Sequence, residues 1–155
     1  MNIKLVLKLV GRVLLIETAA LAIPLAVALL YRESPLPFLL AIAVLAAVGF
    51  GLSALPAKKQ FFTREGFVAV GLIWIFTGLA GALPFLFSGY FATPMDAIFE
   101  SCSGFTTTGS TILTDIEALP KGILFWRAFT TGWGVWGCWC WPPPSSPSWA
   151  SAPTT

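Results

Sequence analysis

Histidine is absent from all 155 residues, and acidic and basic residues together make up only 10% of the chain. The first absence removes Ser-His, Cys-His and His-metal chemistry. The second sets the chain apart from soluble domains, which carry roughly 25% charge. No phosphate-cradling GxxxxGK run is present. The formal net charge is only +2, and the cations stand at the ends of apolar segments, so nothing resembles a nucleic-acid footprint. The three cysteines, Cys102, Cys138 and Cys140, make no zinc or disulfide spacing. Cys102, in an apolar context, reads as a small packing residue. No nucleophile–base pair or metal cluster is visible, so the chain is not read as an enzyme.

What is present is apolar: 57% of the residues are hydrophobic. Four apolar segments follow one another, and the first exceeds the roughly 20 residues needed to cross the hydrocarbon core. The first runs from about Leu5 to Tyr31, with Pro24 expected to kink it. Lys4, Lys8 and Arg12 precede it as in a signal peptide, but the run continues to Leu30 without a convincing cleavage site, so an uncleaved membrane helix is expected. Glu17 is the odd residue of this span. It is a functional candidate by default, and the blander reading pairs it with Arg12 or turns it toward a neighbouring helix. A turn at Arg32-Glu33-Ser34-Pro35-Leu36-Pro37 leads into the second segment, about Phe38 to Leu55, where Ala46-Ala47 and Gly49-Phe50-Gly51 offer small surfaces for helix packing. The third segment, about Glu65 to Phe87, contains Gly71, Gly78 and Gly81, with a bend expected at Pro84. The fourth starts near Lys121 and reaches about Trp141, with Arg127 expected to snorkel from its outer part. Lys4, Lys8 and Arg12 before the first segment, and Lys58, Lys59 and Arg64 between the second and third, put the N-terminus in the cytoplasm by the positive-inside rule.

The most informative stretch lies between the third and fourth segments. Thr93 can cap a helix, Pro94 suits its first position, and Asp96 completes an analogue of a capping box. A helix from Pro94 to about Gly104 would be roughly 16 Å long. That is about half the ~30 Å hydrocarbon core, so it reads as re-entrant. Its C-terminal end, the negative end of the helix dipole, is aimed at the run Thr106-Thr107-Thr108-Gly109. A small-polar run at that depth is tolerated where it lines a water-filled pathway. Its carbonyls can replace the hydration shell of a monovalent cation, as in potassium-channel filters. Gly109 can adopt a positive φ and turn a carbonyl into a pore. An ordinary Ser/Thr/Gly loop is the rival reading of the same string. Asp115 and Glu117 follow, either as acids that concentrate cations at an entrance or as a solvated acidic loop.

Arg64-Glu65-Gly66-Phe67, Gly81-Ala82-Leu83-Pro84-Phe85, the run from Phe99 to Thr111, and Leu119-Pro120-Lys121-Gly122-Ile123-Leu124-Phe125-Trp126-Arg127 together resemble the Trk-type potassium uptake proteins, the TrkH/TrkG branch of the Trk/Ktr/HKT superfamily. The resemblance covers about residues 1 to 130. It implies an all-α integral membrane protein of the potassium-channel-like kind, with two extra N-terminal transmembrane helices ahead of helix–pore-helix–filter–helix repeats. Residues 1–60 would hold the extra pair and a cytoplasmic loop. Residues 61–141 would form the first repeat, with its pore helix at about 94–104 and its filter at about 105–111. Thr107, Thr108, Gly109 and Ser110 become the filter candidates, with K⁺ held at Thr107, Thr108 and Gly109. The transported K⁺ is the one ion implied, and no cofactor is. The implied partners are membrane lipid, a second copy of the subunit and a cytoplasmic nucleotide-binding regulatory subunit. The implied location is the bacterial inner membrane.

A full member of that family has four repeats, and this chain has one. From Gly132 to Pro147 the sequence turns to Trp, Gly, Cys, Pro and Ser and departs from the family pattern. A change of reading frame near Thr131 is the expected cause, because GC-rich coding DNA read one register away yields such a run. Residues 142–155 are expected to form a disordered Pro/Ser-rich tail. Two other readings stand beside potassium uptake: an inactive truncated fragment, and a small membrane scaffold or accessory subunit acting through Gly49, Gly51 or Gly78.

Overall fold

The computed structural model describes residues 3–56, 63–116 and 119–139. Among them the secondary structure is all α: α1 Ile3–Ala20, α2 Ala22–Leu30, α3 Leu36–Ser53, α4 Thr63–Gly81, α5 Leu83–Ser88, α6 Pro94–Phe105 and α7 Lys121–Trp139. Among the described residues three stretches, Ile3–Leu30, Leu36–Ser53 and Gly66–Ser88, are long and apolar enough to cross a membrane, and α7, the expected fourth, is not one of them. The chain is an all-α membrane protein. Lys58, Lys59, Glu117, Cys140 and the tail 142–155 lie outside the described residues.

Two of the expected spans are each broken into two helices by a proline. Proline lacks an N–H and crowds the carbonyl four residues back. For Pro24 that carbonyl belongs to Ala20, where α1 ends. For Pro84 it belongs to Ala80, one residue before α4 ends at Gly81. α5 then stops at Gly89, whose φ of +72° is the left-handed conformation that favours glycine at a helix end.

Contacts pass from α3 to α1, from α1 to α4, from α4 to α6, from α6 to α7 and from α7 to α2, while α5 packs on α3. One core joins these elements, built from Val10, Leu14 and Leu21 of the first span, Phe38 and Leu45 of α3, Phe85, Ile123 and Trp126. α1 and α3 cross at glycine. A Cβ on Gly11 would stand 2.7 Å from Leu52 Cβ, and one on Gly49 2.9 Å from Leu15 Cδ2, whereas Gly51 faces open space. Gly49 therefore serves the chain's own packing and Gly51 does not.

Of the two bland places for Glu17, beside Arg12 or toward a neighbouring helix, the first is not taken. Glu17 does not pair with Arg12. Five residues along a helix is a rotation of about 500°, leaving the two side chains about 140° apart around the axis. Arg12 is exposed, while Glu17 is 5% exposed, on the buried seam with Val10 and Leu14. Neither Glu17 carboxylate oxygen has a hydrogen-bond partner among the described residues.

Candidate functional site

The site is built outward from α6. Thr93 Oγ1 accepts from the Asp96 N–H at 3.3 Å, and an Asp96 carboxylate oxygen accepts from the Thr93 N–H at 3.0 Å, so both halves of a capping box are formed. Pro94 takes the first turn. The helix packs through its small residues. A Cβ on Gly104 would collide with the Thr130 hydroxyl of α7, and one on Gly81 with the Phe105 ring and the Ser101 hydroxyl. Ser101 Oγ donates to the Gly78 carbonyl at 2.7 Å, tying α6 to α4. Cys102 is exposed, with its Sγ over Gly78, and not an interior packing residue.

After Phe105 the chain turns back on the helix end. Thr107 N–H donates to the Gly104 carbonyl at 2.9 Å, and Thr108 N–H to the Ser103 carbonyl at 3.0 Å. Thr107 has φ +58° and Gly109 φ +74°. Glycine reaches this region freely, but for a β-branched residue it is an outlier. Such strain costs on the order of 1–3 kcal/mol and persists where the surroundings over-determine it. Here α7 supplies the constraint, because a Cβ on Gly134 would run into the Phe105 carbonyl and stand 3.0 Å from Thr107 Cγ2. Thr106, Thr107, Thr108, Gly109, Ser110 and Thr111 are all exposed. The Thr106 hydroxyl donates to the Cys102 carbonyl at 2.7 Å and meets the Thr108 hydroxyl at 2.9 Å. Ser103 Oγ donates to the Ser110 carbonyl at 2.6 Å.

The stretch that follows the turn, Thr111 and Ile112, a return strand in path only and not a β-strand, is held by a carboxylate. Glu100, 1% exposed, accepts on Oε2 from the Thr111 hydroxyl at 3.0 Å and the Ile112 N–H at 3.4 Å. Its Oε1 is ion-paired with Arg127 Nε. Arg127 therefore does not snorkel outward. It turns into the protein, where one short carboxylate can join α6, the return strand and α7. One residue earlier, Trp126 Nε1 donates to the Gly81 carbonyl at 3.0 Å, at the Pro84 break.

Thr107, Thr108, Gly109 and Ser110 thus stand together on one exposed turn beyond the C-terminal end of α6. Asp115 is exposed in the following loop, and Glu117 lies outside the described residues. Glu100 falls within the family-like run from Phe99 to Thr111, and its pairing with Arg127 is not marked by any spacing in the sequence. An acid inside a capped apolar helix, followed by a lone Arg in the next apolar segment, was the available signal. Nothing in the sequence marks the left-handed Thr107.

The family model described as "TrkH: Cation transport protein" matches residues 37–140. The chain belongs to the TrkH family. That is a family of cation transport proteins and not of enzymes. The match includes α6, the exposed turn, Glu100, Arg127 and the Trp- and Gly-rich end of α7. The TrkH-family chain is 36% identical over 132 residues to the Trk system potassium uptake protein TrkH of Halomonas elongata, covering 82% of this chain and 27% of the relative. It is 38% identical over 141 residues to the protein of the same name from Escherichia coli K12, covering 88% and 29%. It is 31% identical over 141 residues to the Trk system potassium uptake protein TrkG of Escherichia coli K12, covering 86% and 29%. The chain spans less than a third of the length of these relatives.

Proposed function

We propose that this chain forms the first part of a potassium uptake pathway in the bacterial inner membrane, and that the turn Thr107–Ser110 is one wall of its selectivity filter. The observation that carries the reading is the exposed turn itself. It follows a 12-residue capped helix, it places Thr107 and Gly109 in left-handed backbone, and it is braced from behind by Ser103 and Glu100. Carbonyls of Thr107, Thr108 and Gly109 would replace part of the K⁺ hydration shell, and the remainder would come from further repeats of the whole protein. No bond chemistry is involved, and the electrochemical gradient supplies the drive. Asp115 would raise the cation concentration at the entrance. The N-terminus and the loop with Lys58 and Lys59 would face the cytoplasm. The whole subunit would act as a homodimer with a cytoplasmic nucleotide-binding regulatory subunit.

The test is Gly109→Val in the full-length transporter, with protein level measured in parallel. A Cβ on Gly109 meets no atom within 4 Å, so the substitution acts through the backbone conformation at φ +74° and not through crowding. Preference for K⁺ over Na⁺ uptake should fall on the order of tenfold or more. Unchanged preference removes the filter assignment.

The short coverage of the relatives favours a second reading, in which the chain alone is an inactive fragment. On this reading the coding sequence changes frame near codon 131. Resequencing codons 128 to 160 then finds a second frame continuing into further filter-bearing repeats. Rescue of growth at low external potassium by this chain alone would overturn the fragment reading.

A further inference from the structure

Glu33 lies in the turn between α2 and α3, far from the filter run in sequence. Both of its carboxylate oxygens are engaged. Oε1 accepts from the Lys121 N–H at 2.6 Å and Oε2 from the Gly122 N–H at 2.9 Å. These amides open α7 and are among the four donors that a helix start leaves without partners. Pro120, which precedes them, has no side-chain acceptor, so α7 does not cap itself in the usual way. The acceptor arrives from 88 residues earlier, and its charge faces the positive end of the helix dipole.

The chain is shaped to deliver it. α2 closes with the Arg32 N–H on the Leu29 carbonyl at 3.1 Å and the Glu33 N–H on the Ala28 carbonyl at 2.9 Å. That is a Schellman closure, and Arg32, at φ +56°, occupies the position where glycine is usual. A Cβ on Gly122 would stand 2.9 Å from Ala28 Cβ and 3.1 Å from Phe38 Cε2, so the start of α7 rests directly on α2 and α3. Further along α7, Arg127 holds Glu100, and Glu100 holds Thr111 and Ile112.

We propose that Glu33 is a positioning residue for the filter. By fixing the start of α7 it sets where Arg127 holds Glu100, and through Glu100 it sets where the return strand stands. The N-terminal helices thereby take part in the geometry of the ion pathway. The functional meaning rests on the filter reading of Thr107–Ser110, whereas the mechanical relay is testable without it.

The test is amide hydrogen exchange at single-residue resolution on the full 155-residue chain in lipid nanodiscs. Glu33→Ala should speed exchange at Lys121 and Gly122, and also at Ile112, by about tenfold, the scale of a lost helix cap. Glu33→Gln, which keeps one carbonyl acceptor, should give a smaller rise at the same three amides. In an Arg127→Met background Ile112 should already be fast, and Glu33→Ala should add nothing there. Faster exchange at Lys121 and Gly122 with Ile112 unchanged makes Glu33 a helix cap and nothing more. An added rise at Ile112 in the Arg127→Met background also overturns the relay. If Glu33→Ala unfolds the chain, seen as lost protection throughout α1, Glu33→Gln decides by the same amides. Gly109→Val tests the filter reading by itself. An intact relay with an indifferent Gly109 defeats only that reading, and a broken relay with a sensitive Gly109 defeats only this proposal.

Discussion

Among the described residues two buried carboxylates, Glu100 and Glu17, sit in apolar helices, and their surroundings differ completely. Glu100 is 1% exposed and holds the Arg127 guanidinium, the Thr111 hydroxyl and the Ile112 N–H. Glu17 is 5% exposed and holds nothing among the described residues. The rule that an acid inside a membrane helix marks function applies to both. Only the network around each shows what the acid does. Glu100 joins three elements at the turn that carries the filter candidates. Glu17 lies on the α1 seam with no hydrogen-bond partner for its carboxylate among the described residues.

Glu100→Ala is the sharpest way to break the comparison. It strands the inward-turned Arg127 and frees Thr111 and Ile112 together. Removing one member of a buried pair typically costs about 3–5 kcal/mol. We expect a loss of that order in denaturant unfolding of the purified chain, and loss of potassium selectivity in the whole transporter. The double variant Glu100→Leu, Arg127→Leu separates the two effects, since replacing a buried pair with apolar side chains is often neutral. Its stability should return while the selectivity does not. A double variant that recovers both would show that the pair serves stability alone.

The comparison also shows where the sequence was legible. Prolines 24 and 84, the Thr93/Asp96 cap and the run of apolar segments located the helices, because breaks, caps and hydropathy are local properties. The turn from Thr106 to Ser110 was legible as a unit because small polar residues with glycine are out of place in an apolar chain. Partners were not legible. Arg127 and Glu100 are 27 residues apart, and Glu33 and Lys121 are 88 apart. Neither separation is periodic in anything a helix pattern records. Glu17 stood out because the span around it is apolar, and for the same reason it finds no hydrogen-bond partner among the described residues. The Trp- and Gly-rich stretch after Thr131 shows the same limit. Its composition reads as foreign to the family, yet the TrkH family match runs to residue 140, and α7 continues to Trp139 and buries Gly134 against the Phe105 carbonyl.

That contact carries the next prediction. Gly132 and Gly134 lie two residues apart on α7, but a Cβ on Gly132 meets open space and one on Gly134 meets backbone. Gly132→Ala should be neutral or stabilising by up to about 1 kcal/mol, the helix preference for alanine. Gly134→Ala should cost about 1–3 kcal/mol, because backbone must move to admit the methyl group. It should also disturb Thr107, which rests on the same spot. Thermal unfolding of the two variants side by side checks the pair. Equal effects would mean that α7 does not press on the Phe105–Thr107 turn.

Glu17 gives the smallest effect and the opposite sign. A buried polar group without a partner costs about 1–3 kcal/mol relative to an apolar replacement of similar shape. In a membrane protein the unfolded chain also remains in lipid and finds partners there, which lowers such differences to roughly 1 kcal/mol. Glu17→Leu, or the closer isostere Glu17→Met, should therefore raise the stability of the chain by about that amount. Potassium uptake by the whole transporter should be unchanged. Thermal unfolding in a fixed detergent reads the first quantity, and rubidium-tracer uptake reads the second. The expected contrast is a stabilising loss at Glu17 against a crippling loss at Glu100. If Glu17→Leu instead destabilises the chain or slows uptake, its carboxylate has a partner in the assembled transporter, and the two acids are alike after all.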